Sequence, residues 1–237
     1  CTLRSLGVGR HWAAALQMLR EEGAKAATDS WAVSAAAWTC EAAGRRDIAE
    51  AWLARELAMA TAVPKELALL DFVRQHARHG DAASVLHCIE RFALERRWLK
   101  LAGGEKGRLL EACVRPGDRI VELGAYVGYS ALRLARRLRQ VEAEASPTAA
   151  RRAPRVIAIE ADPLLAAVAR AILSLAVSGG GDAANVDVRV GRAADWLALP
   201  GGLGPIDLLI LDHRGTMYHE DLAVAERRGL LRRGARV

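Results

Sequence analysis

The chain has no long apolar run and few cysteines, and both absences narrow its class. No run approaches the roughly 20 apolar residues that a membrane span needs, so no membrane protein is predicted. A charged stretch followed by an apolar core is also missing from the start, and no signal peptide is predicted. The four cysteines lack CxxC spacing, which argues against a zinc site or a disulfide framework. Reduced thiols in an intracellular protein, cytoplasmic by default, are the expectation.

What is present is typical of a packed globular chain. Hydrophobic residues make up 52% of the sequence and charged residues 26%, which excludes a disordered protein. The first residue is Cys1 rather than Met, so the natural N-terminus is expected upstream. A monomer is the expected state.

The net charge of +6 is concentrated in one region. Residues 1–66 carry eight basic and eight acidic residues, whereas 133–155 carry seven arginines against Glu142 and Glu144. A solvated basic loop is the favoured interpretation. Contact with RNA or an acidic partner is the alternative, and nucleic acid is possible but not favoured.

Residues 1–64 are Ala-rich and helical in pattern, with a faint internal repeat. Gly9-Arg10 recurs as Gly44-Arg45 at a spacing of 35 residues, and Ala14 recurs as Ala49. A helix pair with this period resembles the pentatricopeptide array, of which this segment is interpreted as a remnant. An unrelated pair of Ala-rich helices is the alternative. A domain boundary is predicted at Val63-Pro64, because proline interrupts the pattern.

Residues 65–237 predict an α/β domain. Two amphipathic helices come first, and from Arg119 apolar strands alternate with helices, which indicates a doubly wound parallel sheet. The predicted strands are Arg119–Leu123, Val156–Glu160, Val186–Val190 and Asp207–Leu211. A last helix is predicted over Glu220–Leu231, and a further strand is expected to open at Ala235.

Two features indicate a nucleotide cofactor. The segment Glu122–Ser130 places Gly124 and Gly128 between an apolar strand and an amphipathic helix. Glycines at such a corner let the backbone pass close under a ligand, and the following helix N-terminus favours an anionic group. Glu160 ends the second strand, where an acid can accept hydrogen bonds from both hydroxyls of a ribose. A tight structural corner, and a helix cap at Glu160, are the alternatives.

Together these residues resemble the catechol O-methyltransferase family, which uses S-adenosylmethionine (SAM) and Mg²⁺. Its turn reads Glu-Leu-Gly-Ala-Tyr-x-Gly-Tyr-Ser, and 122–130 match all eight specified positions. The Gly-rich segment 103–108, the Leu-Asp-His at 211–213 and the Gly-Leu-Leu-Arg-Arg-Gly at 229–234 resemble further family motifs. The resemblance covers about 170 residues and implies a Rossmann-like methyltransferase fold that is incomplete at its C-terminus.

The resemblance implies a role for each matching residue. Ala102 and Gly103 are expected to contact the cofactor through their backbone, and Ser130 to bind its carboxylate. Tyr126 would line the pocket, and Glu160 would bind the ribose. Asp212 is expected to ligate Mg²⁺ and lie near the cofactor's amino group, with His213 on the adenine side. The predicted cofactor-binding set is Ala102, Gly103, Glu122, Gly124, Tyr126, Ser130, Glu160, Asp212 and His213.

Three departures from the family bear on activity. The family's general-base lysine corresponds to Gly215, so no catalytic residue is assigned, and His213 or His219 is left as a candidate proton acceptor. Ala193-Ala194 replaces small polar cofactor contacts. The family's Asp-Asn metal ligands would lie beyond Val237, so the chain is interpreted as a fragment whose own activity is uncertain.

The predicted function is transfer of a methyl group from SAM to a catechol-like small-molecule hydroxyl. Two alternatives remain open. One is a SAM-binding scaffold without catalytic activity, and the other is an RNA-associated methyltransferase fused to a pentatricopeptide-like array.

Overall fold

Five parallel strands form one sheet in the order β3-β2-β1-β4-β5 in the computed structural model of the chain. The structure describes residues 30–59, 64–145, 155–177 and 186–237, together with residues 13, 14 and 17. The strands are β1 (Arg119–Leu123), β2 (Arg155–Glu160), β3 (Val186–Val190), β4 (Ile206–Leu211) and β5 (Leu231–Arg236). The predicted α/β class with a doubly wound parallel sheet is confirmed, since alternate strand residues face two separate apolar cores, with Ile120 in one and Val121 in the other.

Helices cover both faces of this sheet. They are α1 (Ser30–Ala42), α2 (Arg46–Met59), α3 (Lys65–His76), α4 (Ala82–Glu95), α5 (Gly104–Ala112), α6 (Tyr129–Glu144), α7 (Pro163–Leu175), α8 (Ala193–Ala198) and α9 (Tyr218–Arg227). Their starts follow local chemistry: the Asp81 carboxylate accepts from the Ser84 amide, and Asp162 caps α7 just before Pro163. None of the described helices is both long and apolar enough to cross a membrane.

The predicted last helix was too long. Helix α9 ends at Arg227 rather than Leu231, and Gly229 follows in the left-handed region at φ 62°. Glycine adopts this conformation without strain and stops a helix. Strand β5 therefore begins at Leu231, four residues before the predicted opening at Ala235.

The two N-terminal helices belong to the same core as the sheet. Cys40 and Ala49 lie in the apolar cluster beneath α7, and Trp38 lies in the cluster on the opposite face. The predicted boundary at residue 64 falls between α2 and α3, and the division into two domains stays a prediction. Gly9, Arg10 and the other upstream members of the repeat lie outside the described residues, apart from Ala14.

A network of ion pairs around Asp187 includes Arg155, the last arginine of the basic region. The buried carboxylate of Asp187 accepts from Arg46 at 2.6 Å, from Arg155 at 2.5 Å and from Arg189 at 2.9 Å. The pKa of Asp187 is lowered to about 2, because these guanidinium groups outweigh the opposing effect of burial. The loop that holds Arg151 and Arg152 lies outside the described residues, so the prediction of a basic surface there stays untested.

Candidate functional site

A cleft of about 500 Å³ opens at the carboxyl ends of β1, β2 and β4, where an open α/β sheet binds its ligand. Most of the predicted cofactor residues line it: Ala102, Gly124, Tyr126, Ser130, Glu160, Asp212 and His213. Gly103 adjoins Ala102 at the start of α5, and Glu122 is fully buried on β1. Chain segments far apart in sequence therefore meet at one edge of the sheet.

The turn after β1 is shaped by glycine. Gly124 has φ 102°, and a Cβ there would lie 2.7 Å from the backbone oxygen of Asp212. Gly128 has φ 81° and precedes the first residue of α6. The left-handed glycines allow the tight turn between β1 and α6. Ser130, the second residue of α6, lines the cleft, so the N-terminus of this helix lies at the cleft edge.

Glu160 is held rigidly at the end of β2. One carboxylate oxygen accepts from the Tyr126 amide at 2.7 Å and the other accepts from the Asp162 amide at 3.0 Å. Burial raises the pKa of Glu160 to about 7, while those two amides act against the rise. Each carboxylate oxygen keeps a second lone pair, so a ligand with two neighbouring hydroxyls can bind without displacing the amides.

The phenol of Tyr126 connects the turn to the helices above the cleft. It donates to the Glu66 carboxylate on α3 at 2.7 Å. Tyr126 itself has φ 49°, an uncommon conformation for a residue with a side chain. Strain of this kind persists only where the surroundings enforce it, here through Glu66 and the Tyr126 amide bond to Glu160.

Glu122 places a carboxyl group beneath the cleft. Its side chain is completely buried, and neither oxygen lies in hydrogen-bond geometry with a partner among the described residues. Burial, with help from the nearby carboxylates of Asp212 and Glu160, raises its pKa to about 8, although the Ser130 hydroxyl and Lys106 oppose the rise. A cationic ligand above it would favour the ionised form.

This pKa predicts how stability depends on pH. The folded protein retains a proton on Glu122 up to about pH 8, whereas an unfolded glutamate loses it near 4.5. The stabilising contribution is therefore complete below pH 4.5 and is lost as the pH rises through 8. In the absence of cofactor, we expect Glu122→Gln to flatten the fall in unfolding free energy between these values, as measured by urea denaturation.

Glu226→Gln provides the control, because Glu226 is exposed on α9. It should retain the full pH slope of the natural sequence. Equal slopes for the Glu122→Gln variant and the natural sequence would show that Glu122 ionises normally in the folded state.

Asp212 lies at the end of β4 and pairs with Lys106 of α5 at 2.7 Å. Its side chain is 16% exposed, so the carboxylate reaches the cleft. Within the described residues, no group of three His, Cys, Asp or Glu side chains is arranged to hold a metal. One carboxylate already neutralised by an ammonium group does not fit Mg²⁺, which takes about six oxygen ligands.

His213 and Gly215 define the rim beyond Asp212. The Nε2 of His213 lies 2.7 Å from the Asp221 carboxylate, while its Nδ1 is buried without a partner among the described residues. His213 is thus oriented by α9, and the nitrogen that is left to accept a proton, Nδ1, is buried. Gly215 begins a 3₁₀ turn (Gly215–Met217), and a Cβ at this position would meet open space.

Several contacts of the cleft were not predicted. Lys106 pairs with Asp212 and Glu66 with Tyr126, and both pairs join segments distant in sequence. Asp221 pairs with His213 across the turn that leads into α9. Ala193-Ala194 lines the cleft at the start of α8, as expected for the adenine side. No local sequence pattern marks such partners, because a surface lysine or glutamate has the same local signature whether or not it is paired.

The fold and this cleft define a Rossmann-like α/β protein with a nucleotide-cofactor site. None of the protein-family models matches the chain. The chain is 36% identical over 184 residues to a probable O-methyltransferase of Mycobacterium tuberculosis, covering 72% of this chain and 70% of that protein. It is 34% identical over 175 residues to catechol O-methyltransferase of Mus musculus, covering 72% and 60% respectively. The chain therefore belongs to the SAM-dependent O-methyltransferase family.

The match does not extend over the whole length of every relative. The chain spans about three fifths of the catechol O-methyltransferases of Danio rerio and Mus musculus, at 59% and 60%. Among solved structures, an O-methyltransferase from Bacillus cereus in complex with SAH is 25% identical, with a TM-score of 0.49 over 64% of this chain and 63% of that one.

Proposed function

We propose that the protein transfers a methyl group from SAM to a hydroxyl of a catechol-like small molecule. The observation that carries this proposal is the setting of Glu160, whose carboxylate is held by two backbone amides inside the cleft at the end of β2. Membership of the O-methyltransferase family and the family's turn at 122–130 support the same cofactor.

The charges of the cleft suit SAM, which carries a sulfonium, an ammonium group and one carboxylate. Asp212 at the rim shares its negative charge with Lys106 and keeps a second oxygen for a cationic group. Glu122 beneath the cleft offers negative charge once a cationic ligand has lowered its pKa. The N-terminus of α6 at Ser130 offers amides to the carboxylate. When bound, SAM supplies a methyl group on positively charged sulfur, and an attacking oxygen displaces the neutral thioether in line. The protein's contribution is to hold both reactants in that alignment.

The methyl acceptor is proposed from resemblance. In the family-like mechanism the acceptor oxygen attacks as a phenolate, so its proton must leave. Arg214 cannot take that proton because a guanidinium does not deprotonate in proteins, and Gly215 has no side chain. Asp221 pairs with the Nε2 of His213, and the other ring nitrogen, Nδ1, is buried. We therefore expect slow transfer for acceptors with an ordinary phenol pKa and faster transfer for more acidic phenols.

Mg²⁺, with Asp212 as one ligand, is proposed on the family resemblance alone, since the described residues do not complete a site for it. The remaining ligands would have to come from groups other than the described residues. Lys106 would also have to release Asp212, because its ammonium group occupies one of the two carboxylate oxygens.

The test of cofactor binding is calorimetric titration of SAM into the chain. We expect Glu160→Gln to weaken binding by roughly tenfold to a hundredfold, because charged hydrogen bonds to the ribose are lost. Glu95→Gln, at an exposed ion pair on α4, should bind as the natural sequence does. Absence of SAM binding by the natural sequence would contradict the proposal.

Methyl transfer is tested with labelled SAM and catechol, with and without Mg²⁺. Labelled methyl catechol is the expected product. SAM binding with no labelled product from any of a series of catechols of decreasing pKa would select the alternative, a cofactor-binding scaffold.

A further inference from the structure

Helix α1 packs against two corners that line the cleft. It precedes residues 65–237, the part of the sequence in which the resemblance to the methyltransferase family was found. Its residues Ser34, Trp38 and Glu41 are spaced by four and three positions, which places them on one face of the helix. All three are buried or almost buried, and Ala36 and Ala37 between them lie in the core beneath α7. The face is therefore directed at the edge of the sheet formed by β3.

The first contact is to the corner after β2. The Ser34 hydroxyl donates to the backbone oxygen of Ala161 at 2.6 Å. Ala161 directly follows Glu160, and both residues line the cleft. The hydroxyl thus fixes the peptide on which the position of the Glu160 carboxylate depends.

The second contact is to the corner after β3. The Glu41 carboxylate accepts from the Val190 amide at 3.1 Å and also pairs with Arg170 of α7. Val190 ends the edge strand, and without Glu41 its amide would lie at an open sheet edge. The Val190 carbonyl accepts from the Trp196 indole at 2.9 Å, so both backbone polar groups of this residue are hydrogen-bonded.

The third contact is steric. The ring of Trp38 lies directly on Gly191, where a Cβ would be 2.8 Å from the ring carbon Cδ1. Gly191 has φ 127° and lines the cleft beside Arg192 and Ala193. The Gly191 amide donates to the Glu160 backbone oxygen at 2.8 Å, so the two corners are also joined to each other.

We propose that α1 is part of the cofactor site, with Ser34, Trp38 and Glu41 as positioning residues for the adenosine half of SAM. The proposal rests on SAM binding in the cleft, because the two corners that α1 holds carry Glu160 and the start of α8. The coupling between SAM binding and the packing of α1 is reciprocal, so bound SAM also stabilises the packing of α1 against the sheet. The N-terminal helices then serve the methyltransferase site directly.

The test uses mild substitutions in the whole chain: Ser34→Ala, Glu41→Gln and Trp38→Phe. Ser34→Ala removes the hydrogen bond to Ala161, and Glu41→Gln leaves one acceptor oxygen for both Val190 and Arg170. Trp38→Phe makes the ring that lies on Gly191 smaller. We expect SAM and adenosine to lose affinity by the same factor, roughly fivefold to tenfold for Ser34→Ala and Glu41→Gln. Calorimetry at a temperature where circular dichroism shows all variants folded separates this effect from unfolding.

Arg46→Ala is the matched control. Arg46 ties α2 to the same strand through Asp187 and the Val188 carbonyl, but it contacts neither corner. It should lower the melting temperature without changing the affinity for SAM or adenosine.

Natural affinity in both Ser34→Ala and Glu41→Gln would overturn the proposal, and so would an equal loss in Arg46→Ala. Failure of the natural sequence to bind SAM would overturn the proposed function and this inference with it. Unchanged affinity in the α1 variants with normal binding by the natural sequence would overturn the inference alone.

Discussion

Replacing Gly124 with alanine is expected to weaken SAM binding by roughly tenfold to a hundredfold, because the backbone segment that carries Asp212 into the cleft has to move and its polar contact with the ligand is lost. A methyl group at this position would lie 2.7 Å from the Asp212 oxygen and 2.9 Å from the His213 Cα. Both are backbone atoms of the segment that carries Asp212 into the cleft, so the segment has to move. Titration calorimetry with SAM measures the effect.

Gly201→Ala separates this clash from backbone strain. Gly201 also has a left-handed conformation, at φ 70°, but a Cβ there would meet open space. Strain of about 1–3 kcal/mol in unfolding free energy is expected in both variants, whereas SAM affinity should fall in Gly124→Ala only. Equal affinity losses in the two variants would show that strain, rather than displacement of the Asp212 segment, controls the site.

Replacing Gly215 with lysine is expected to raise the rate of methyl transfer to catechol by roughly a hundredfold to ten-thousandfold, the range of a positioned general base. The structure has room for this change: a Cβ at Gly215 has no atom within 4 Å, and the backbone is outside the left-handed region. Arg214 and Met217, on either side, line the cleft, so a long side chain from 215 can reach it. Single-turnover transfer of a labelled methyl group measures the rate.

Gly215→Met is the matched control, since methionine has similar length and no basic group. A rate increase in both variants would point to stabilisation of the 3₁₀ turn rather than to proton transfer. The lysine variant should also show a new pH dependence, with the rate rising as the ammonium group loses its proton. A Gly215→Lys variant no faster than Gly215→Met would contradict the assignment of the missing base.

The strands were the elements that sequence reasoning predicted best. The bounds of β1 and β3 agree with the predicted ones, because β-branched apolar residues mark both segments: Ile120 and Val121 in β1, and three alternating valines in β3. The end of α9 was misplaced because Gly229-Leu-Leu continues a helical apolar pattern, and only the left-handed conformation of Gly229 stops it. Element types were therefore more predictable than the positions at which they end.

The candidate site was predicted unevenly for a related reason. Gly124, Ser130 and Glu160 could be found because the turn and the strand end are local in sequence. The sequence did not reveal that Lys106 pairs with Asp212 or that Asp221 pairs with His213. Each pair depends on how helices α5 and α9 pack against the sheet. The local pattern of Ser34, Trp38 and Glu41 was compatible with any buried helix face.

By itself, the sequence determined the α/β class, the order of the four predicted strands and the turn at 122–130, because these follow from short-range periodicity and from glycine conformation. The short helices α5 and α8 were not predicted. The tertiary structure decided which groups meet in the cleft and how they are charged. Among the described residues, it left the buried Glu122 carboxyl without a partner in hydrogen-bond geometry, paired Lys106 with Asp212, and packed α1 against the corners beside Glu160 and Gly191. These outcomes depend on burial and on contacts between distant segments, and burial and contact are properties of the folded chain.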